Sequence, residues 1–248
     1  MGNLVLQTST YAESTELIPS LAWFGTDYAG ITLTDSKAGN NGTLLPNSGG
    51  VWSGGTLGVA GIPGSGGDTA ASYNGTSGIA VVTGLDSWPN GKSAMTLEAW
   101  CNAAADPATE RNIVGWWYNQ YCNMRLLTNG YVQAAIRIGT TNYSCNTLAS
   151  LTGLGWKHLV MSYDGSVARF YVDGVQQRDP FGVAGTLVST ARFAIGGYSS
   201  TINQFGGYLP GTIQYPAIYT AALSADLIYR RYLQGANTFV RQYLGLVA

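Results

Sequence analysis

Carboxylates are the first side chains to examine for chemistry, because a glycoside hydrolase places two of them on either side of the scissile bond. The chain has four glutamates, and none has an acidic residue two positions away, where both side chains would point into one groove of a strand. They are Glu13, Glu16, Glu98 and Glu110. The sequence therefore disfavours glycoside hydrolysis, which ranks third among the functions to test.

Histidine and cysteine add little further chemistry. His158 is the sole histidine and lies within the strand-like segment GWKHLVMSY, where a structural role is expected. Cys101, Cys122 and Cys145 form an odd set without CxxC spacing. This set predicts reduced, packed thiols, with a disulfide between two of them as the alternative. Because no G-x-S-x-G motif or P-loop occurs either, a non-enzymatic protein is predicted.

The aromatic residues suggest binding instead. The chain has 16 Tyr and 7 Trp, and aromatic planes stack on the apolar faces of sugar rings. Trp116 and Trp117 are adjacent, so in a strand they point to opposite faces and one of them must lie outside the core on that side. Protein contact is the alternative use of such a patch. The candidate ligand-binding residues are Trp100, Trp117, Tyr118, Tyr121, Tyr143, Tyr198 and Tyr208.

Short strands must position these residues. From Leu21 to Leu223, runs rich in β-branched and aromatic types alternate with Gly, Asn and Asp, which predicts an all-β fold. Three pairs have the chemistry of tight hairpin turns: Asn129-Gly130, Asp164-Gly165 and Asp173-Gly174. The Gly- and Ser-rich stretch from 40 to 67 is predicted to form long irregular loops.

Alternation along MTLEAWCNA separates a core face from a face that lines a shallow groove or meets solvent. The core face consists of Met95, Leu97, Ala99 and Cys101, and the second face of Thr96, Glu98, Trp100 and Asn102. One helix is predicted, with Ser224 as its N-cap, Asp226 in its first turn and Gly235 at its end.

Composition limits the partners. Only 10% of the 248 residues are charged and the net charge is -1, so the chain lacks the basic stripe that binds nucleic acid. No apolar run is long enough to cross a bilayer, and the first residues lack the basic and hydrophobic parts of a secretory signal. The chain is therefore expected to be made in a cytoplasm as one domain.

Several segments together resemble the laminin-G-like domains of the concanavalin A-like lectin/glucanase superfamily. The opening PSLAWFGTDYAGITLTDSKAGNNGTL is followed in the family's order by GDTAASYNGTSGIAVV, MTLEAWCNA, GWKHLVMSYDGSVARFYVDGV and FGGYLPGTIQYPAIYTAALSADLIYRRY. The resemblance implies a jelly-roll β-sandwich of two antiparallel sheets with a short C-terminal helix. It covers residues 21–235, and leaves an N-terminal arm of residues 1–20 and a C-terminal tail of residues 236–248.

The resemblance also implies a calcium site. Its first acidic ligand is present as Asp35, with nearby backbone carbonyls, but the acid of the family's last strand is replaced by Gln214. An amide oxygen is a neutral ligand and weaker than a carboxylate. Calcium is the one cofactor predicted, at Asp35.

The two arms point to assembly. The first arm carries acidic residues without an early basic partner, and the end of the chain carries basic ones. Opposite charges at the two ends would fasten neighbouring subunits, although arginines near a helix C-terminus also favour the helix dipole. The candidate assembly contacts are Glu13, Glu16, Arg230, Arg231 and Arg241.

A small, unexported chain of this kind looks like a bacteriophage virion protein, either a capsid decoration or a tail or fibre component. Its expected partners are copies of itself, other virion proteins and polysaccharide. The alternative is a freestanding carbohydrate-binding lectin, and a virion lectin that grips host polysaccharide would be both.

Overall fold

The computed structural model describes residues 21–29, 32–35, 40–48, 51–117, 121–199 and 204–236, with only the backbone described for Leu21–Ala29, Asp35, Asn47 and Ser48. The first strands are β1 (Leu21–Ala29), β2 (Thr32–Asp35), β3 (Gly42–Leu45), β4 (Asn47–Ser48), β5 (Val51–Trp52), β6 (Gly55–Ala60), β7 (Thr69–Asn74), β8 (Ile79–Val82), β9 (Met95–Ala103) and β10 (Arg111–Trp117). The later strands are β11 (Tyr121–Leu126), β12 (Val132–Ile138), β13 (Thr141–Asn146), β14 (Lys157–Tyr163), β15 (Ala168–Val172), β16 (Val175–Gln176), β17 (Phe193–Ile195), β18 (Tyr198–Ser199), β19 (Phe205–Gly206) and β20 (Pro210–Tyr219). A short 3-10 helix spans Thr83–Leu85, and α1 spans Ala225–Gly235.

Most strands form two antiparallel sheets that share β1. The first sheet runs β16-β15-β14-β9-β20, and beyond β20 lie β7 with β6 at one end and the start of β1 at the other. The second sheet runs β1-β2-β3-β8-β17-β10-β11-β12-β13. These two sheets and the C-terminal helix confirm the predicted jelly-roll sandwich. The division into arms and domain stays a prediction, because residues 1–20 and 237–248 lie outside the described residues.

The core lies between the two sheets, and every second side chain of β9 points into it. Met95, Leu97 and Ala99 are fully buried and pack with Trp116 and Met124 of the second sheet. The core face of MTLEAWCNA is therefore confirmed. The prediction for the opposite face was wrong, since Thr96, Glu98 and Trp100 are buried as well.

Two of the three predicted turns are longer than a two-residue hairpin. At Asp173-Gly174 the strand pair closes directly between Val172 and Val175, and both turn residues have positive φ, at 52° and 78°, as a type I′ turn requires. Asp164 begins a four-residue loop instead, because its Oδ1 accepts from the backbone N–H groups of Ser166 and Val167 at 2.9 and 3.0 Å.

The third turn, at Asn129-Gly130, lies in the loop between β11 and β12, where Leu126 pairs with Val132. This loop joins neighbouring antiparallel strands, which confirms the predicted hairpin there and gives it a longer connection.

The Gly-rich stretch is more regular than predicted, because strands β3 to β6 lie within it. Strand β6 pairs with β7, and β3 pairs with β8. The glycines allow close backbone approach: a Cβ on Gly78 would lie 1.9 Å from the carbonyl oxygen of Gly54. The expectation of irregular loops failed because β7 and β8, which lie outside the stretch, supply hydrogen-bond partners for β6 and β3.

Helix α1 confirms the predicted signals. Ser224 caps it, with Oγ accepting from the backbone N–H of Leu227 at 3.3 Å, and Asp226 lies in its first turn. Within the described residues, no helix combines the length and apolar character needed to cross a bilayer.

Candidate functional site

The outer face of the first sheet is closed by α1. Trp100 of β9 stacks on His158, with ring centroids 4.8 Å apart, and on Tyr232 of the helix, at 6.1 Å. A Cβ on Gly235 would lie 2.2 Å from Trp100 Cζ2, so the end of the helix rests directly on the indole. Trp100 is only 2% exposed. Its prediction as a ligand-binding residue is therefore corrected: the helix occupies the space that a sugar would need.

A buried carboxylate lies at the centre of this covered face. Glu98 accepts from Arg231 Nε at 2.9 Å and from the Tyr219 hydroxyl at 2.6 Å, and its Oε1 lies 2.7 Å from His158 Nε2. Burial alone would raise the pKa of Glu98, but Arg231 and His158 together hold it well below its ordinary range.

Arg231 lies inside the fold, which corrects its prediction as an assembly contact. Arg231 is 8% exposed and forms an ion pair with Glu98. The pairing was missed because the two residues lie far apart in sequence on different elements. Arg230 is half-exposed and pairs with Asp226 at 2.9 Å on the same helix.

The outer face of the second sheet has a different composition. Cross-strand register aligns its outward side chains in three rows. One row pairs Trp117 with Tyr121, the next runs through Gly115, Asn123 and Ala135, and the third runs through Asn112, Arg125, Gln133 and Asn146. We define the arginine–aromatic face as Trp117, Tyr121, Asn123, Arg125, Gln133 and Asn146.

Trp116 and Trp117 divide between the two sides of β10, as their adjacency predicts. Trp116 is fully buried in the core, where it stacks on Trp88 at 5.7 Å, whereas Trp117 is half-buried on the outer side. The ring of Trp117 meets that of Tyr198 edge-on, with centroids 5.0 Å apart. The strand pattern thus directs one indole away from the core.

Arg125 joins the aromatic and polar parts of the face. Its guanidinium carbon lies 4.4 Å from the centroid of the Tyr121 ring and 5.3 Å from that of Trp117, within the range of cation–π contact. Its Nη2 donates to Gln133 Oε1, and Gln133 Nε2 donates to Asn146 Oδ1 at 2.7 Å. This ladder fixes the amide orientation of Gln133.

A second polar pair lies beside this ladder. Asn123 Nδ2 donates to Asn112 Oδ1 at 2.9 Å, and Asn112 Nδ2 donates to the carbonyl oxygen of Gly197 at 2.7 Å. Asn123 Oδ1 is buried without a hydrogen-bond partner among the described residues. The face therefore combines half-buried aromatic rings with oriented amides, a mixture suited to polar ligands with apolar faces.

The remaining aromatic candidates do not all belong to this face. Tyr208 packs beside the outward cluster of Ile79, Val81 and Ala194. Its pKa is raised mainly by burial and also by the nearby Tyr198. Tyr143 packs against the core cluster instead, on the other side of β13. Tyr118 lies outside the described residues, as do the predicted arm contacts Glu13, Glu16 and Arg241.

The predicted calcium ligands are only partly described. Gln214 is buried, and its Nε2 donates to the carbonyl oxygens of Asp68 and Thr69 at 3.1 and 3.2 Å, while its Oε1 accepts from Ile62 N–H at 2.7 Å. An amide engaged in this way does not fit a cation ligand. Among the described residues no group of three or more His, Cys, Asp or Glu side chains is placed to hold a metal ion. The side chain of Asp35 is not described, so calcium there stays a prediction.

The cysteines are separate and buried. Cys101, Cys122 and Cys145 carry free thiols, and burial raises the pKa of Cys101 to about 12. Burial raises the pKa of Cys122 and Cys145 as well, so the nucleophilic thiolate form is disfavoured at all three positions.

The two antiparallel sheets and the short C-terminal helix define a protein of the jelly-roll sandwich class. A laminin G family model, described as the concanavalin A-like lectin/glucanases superfamily, matches residues 66–229. The chain belongs to this superfamily. A comparison with curated proteins gave no match.

Similar solved structures are distant in sequence. A sialidase from Trypanosoma rangeli has a TM-score of 0.61 at 14% identity, over 92% of this chain and 34% of the sialidase. Domain 4 of AbnA, a GH43 extracellular arabinanase from Geobacillus stearothermophilus solved in complex with arabinotriose, has a TM-score of 0.62 at 20% identity, over 86% of this chain and 98% of that domain. The binding domain of Paraclostridial Mosquitocidal Protein 1 has a TM-score of 0.59 at 12% identity, over 86% of this chain and 51% of that one. The chain thus spans about a third of the sialidase, and these likenesses concern the fold.

Proposed function

We propose that the chain is a non-enzymatic binding module that holds carbohydrate on the arginine–aromatic face. The observation that carries this proposal is the outward row of Trp117 and Tyr121 beside the ladder of Arg125, Gln133 and Asn146. Aromatic rings stack on the apolar faces of sugars, and oriented amides discriminate their hydroxyl groups. The arabinanase domain solved in complex with arabinotriose supports the same class of ligand.

The non-catalytic part of the proposal is supported by Glu98. This carboxylate lies beneath α1, is bound by Arg231 and Tyr219, and has a lowered pKa. A general acid needs a raised pKa and access to substrate, and Glu98 has neither. Turnover of a polysaccharide that is lost in a Glu98→Gln variant shown to be folded would overturn this part.

A glycan array followed by titration calorimetry tests the binding site. We expect Trp117→Ala to weaken binding by roughly tenfold, since an aromatic contact contributes about 0.5–1.5 kcal/mol beyond its buried area. The matched control is Trp156→Ala, because Trp156 is also half-buried but packs near Trp100 on the first sheet. Equal loss in both variants, or unchanged affinity in Trp117→Ala with an unchanged melting profile, would contradict the assignment.

We also propose that this module works as part of a bacteriophage virion, on the capsid or in a tail or fibre. The low charge of the chain supports protein contact, as do exposed apolar residues beside the two-residue edge strand β16. Val175 and Leu148 are 61% and 59% exposed, and Tyr229 is adjacent to the β15–β16 turn. Mass spectrometry of purified particles tests this localisation, and absence of the chain from them would exclude it.

Solution mass tests the expected homo-oligomer. Light scattering of the full chain beside a chain trimmed to residues 20–235 is expected to give an oligomer that becomes a monomer on trimming. A monomer in both samples would contradict assembly through the arms and would favour a freestanding lectin.

A further inference from the structure

Arg125 is a buried cation whose hydrogen-bonding capacity is only partly used. The side chain is 9% exposed, and its Nη2 donates to Gln133. Neither Nε nor Nη1 makes a hydrogen bond to any residue the structure describes. A buried guanidinium usually has its donors satisfied, because an unpaired buried donor costs about 1–3 kcal/mol. Two donors of Arg125 are therefore left for an acceptor from outside the described residues.

The local charge balance indicates the sign of that ligand. Glu110 Oε2 lies 3.3 Å from Arg125 Nε, but the Glu110 side chain is 43% exposed at the rim. Arg178 reaches the far end of the ladder, where its Nε donates to the carbonyl oxygen of Asn146 at 3.1 Å. Arg137 is an outward residue of β12, in register with Asn142. Arg125, Arg137 and Arg178 therefore accompany Glu110 on this part of the described sheet, and the Glu110 side chain is partly exposed to solvent.

We propose that the arginine–aromatic face selects saccharides that carry a carboxylate, such as uronate or sialate units. The carboxylate takes the place of Glu110 at Arg125, because a guanidinium binds carboxylates through charge-assisted hydrogen bonds. The sugar ring lies against Trp117 and Tyr121, and its hydroxyl groups meet the amides of Gln133 and Asn146. This inference rests on the proposed carbohydrate function and specifies its ligand class.

Paired probes that differ only in charge test the selection. The full-length protein is titrated with trigalacturonate and its methyl ester, and with sialyllactose and lactose. We expect at least one acidic probe to bind roughly tenfold more tightly than its neutral counterpart, with affinity falling as NaCl rises. Equal affinity within both pairs would overturn the inference.

Three variants assign the effect to Arg125. Arg125→Gln is expected to remove the preference for the acidic probe, and Arg125→Lys to restore part of it, since lysine keeps the charge but loses the planar donors. Glu110→Gln leaves Arg125 in place and removes the competing carboxylate, and its melting profile checks that the variant is folded. It is expected to tighten the acidic probe roughly threefold or more while leaving the neutral probe unchanged. An acidic probe that binds Glu110→Gln no better than wild type would count against exchange at Arg125.

The outcomes separate this inference from the function on which it rests. If neutral and acidic probes bind equally and both lose affinity in Trp117→Ala, carbohydrate binding stands and acid selection fails. If no saccharide binds a folded wild-type protein, both fail.

Discussion

Glu98 brings together groups from four separate parts of the chain. It belongs to β9, His158 to β14, Tyr219 to the end of β20 and Arg231 to α1. A buried ion pair contributes little beyond an apolar pair of the same shape, but loss of one partner strands the other charge away from water. The ion pair between Glu98 and Arg231 therefore holds α1 on the first sheet, because removing either charge would leave the other buried without a partner.

Removing this carboxylate is expected to destabilise the fold. Glu98→Gln leaves Arg231 buried without a counter-charge, and we expect a loss of about 3–5 kcal/mol in the free energy of unfolding. The control is Asp226→Asn, which breaks the exposed pair with Arg230 and removes a charge from the first helical turn, and which should cost about 1 kcal/mol or less. Urea denaturation measures both.

A double variant separates charge from packing. Glu98→Gln with Arg231→Met removes both charges, and it should recover much of the stability lost in Glu98→Gln alone. Equal losses in the single and double variants would show that the ion pair is not the source of the effect.

Stability should also depend on pH through Glu98. The pKa of this carboxyl is lower in the folded chain than its ordinary value of 4.5. Its contribution is therefore fully present above that value and is lost as the pH falls below it toward the folded pKa. We expect the free energy of unfolding to fall between about pH 5 and about pH 3, and to fall less steeply in Glu98→Gln. Parallel profiles for the two proteins would contradict this assignment.

At the scale of elements, local signals predicted which segments form but not what they cover. Ser224, Asp226 and Gly235 define α1 from sequence, and the alternation of β9 defines its core face. Neither pattern predicts that the helix lies over Trp100, because that contact depends on where β20 ends relative to β9. The same gap explains why Trp100 is predicted as a ligand-binding residue although α1 covers it, whereas Trp117 is half-buried on the outer side of β10.

The seating of α1 on Trp100 can be tested at Gly235. Alanine favours a helix over glycine by about 1 kcal/mol, so Gly235→Ala would stabilise a helix end that was free. Here the added Cβ would lie 2.2 Å from Trp100 Cζ2. We therefore expect the substitution to lower the free energy of unfolding by about 1–3 kcal/mol. A rise in the thermal midpoint would mean that the helix does not rest on the indole.

A matched pair of glycines tests the docking of the β15–β16 turn on the helix. Gly174 has a φ of 78°, and a Cβ there would also lie 2.7 Å from Tyr229 Cδ2, whereas Gly139 has a φ of 58° and open space around it. Alanine is strained by about 1–2 kcal/mol at both positions. We expect Gly174→Ala to cost measurably more than Gly139→Ala in chemical denaturation. Equal costs would indicate that only backbone strain matters at Gly174.

At the scale of the whole molecule, the order of the sequence blocks predicted the sandwich. The strands inside the Gly-rich stretch were not predicted, because glycine has a low strand propensity and the partner strands β7 and β8 lie outside the stretch. Arg125 was missed as a site residue for a related reason. It lies in an ordinary alternating strand, and its contact with Trp117 and Tyr121 follows from the register of β10 with β11.

Calcium at Asp35 is best tested on the stability of the whole chain. An ion that binds only the folded state raises Tm by mass action. If Asp35 and nearby carbonyls hold calcium, Tm falls in EDTA and recovers when calcium is restored, but not when magnesium is added instead. A Tm that is unchanged by chelation counts against the site, in line with the occupied amide of Gln214.

Strand β20 completes the first sheet by lying between β9 and the start of β1, where Ile218 pairs with Leu21. During synthesis, β1 and β9 therefore each keep one unpaired edge until β20 (Pro210–Tyr219) has been made. Closing so long a loop has a large entropic cost, and the contacts between β20 and its neighbours form only afterwards. Folding is therefore expected to be slow for a domain of this size. The exposed edges of the nascent chain are open to pairing with neighbouring chains. Expression at lower temperature, or with chaperones that shield unpaired strands, should therefore raise the soluble yield.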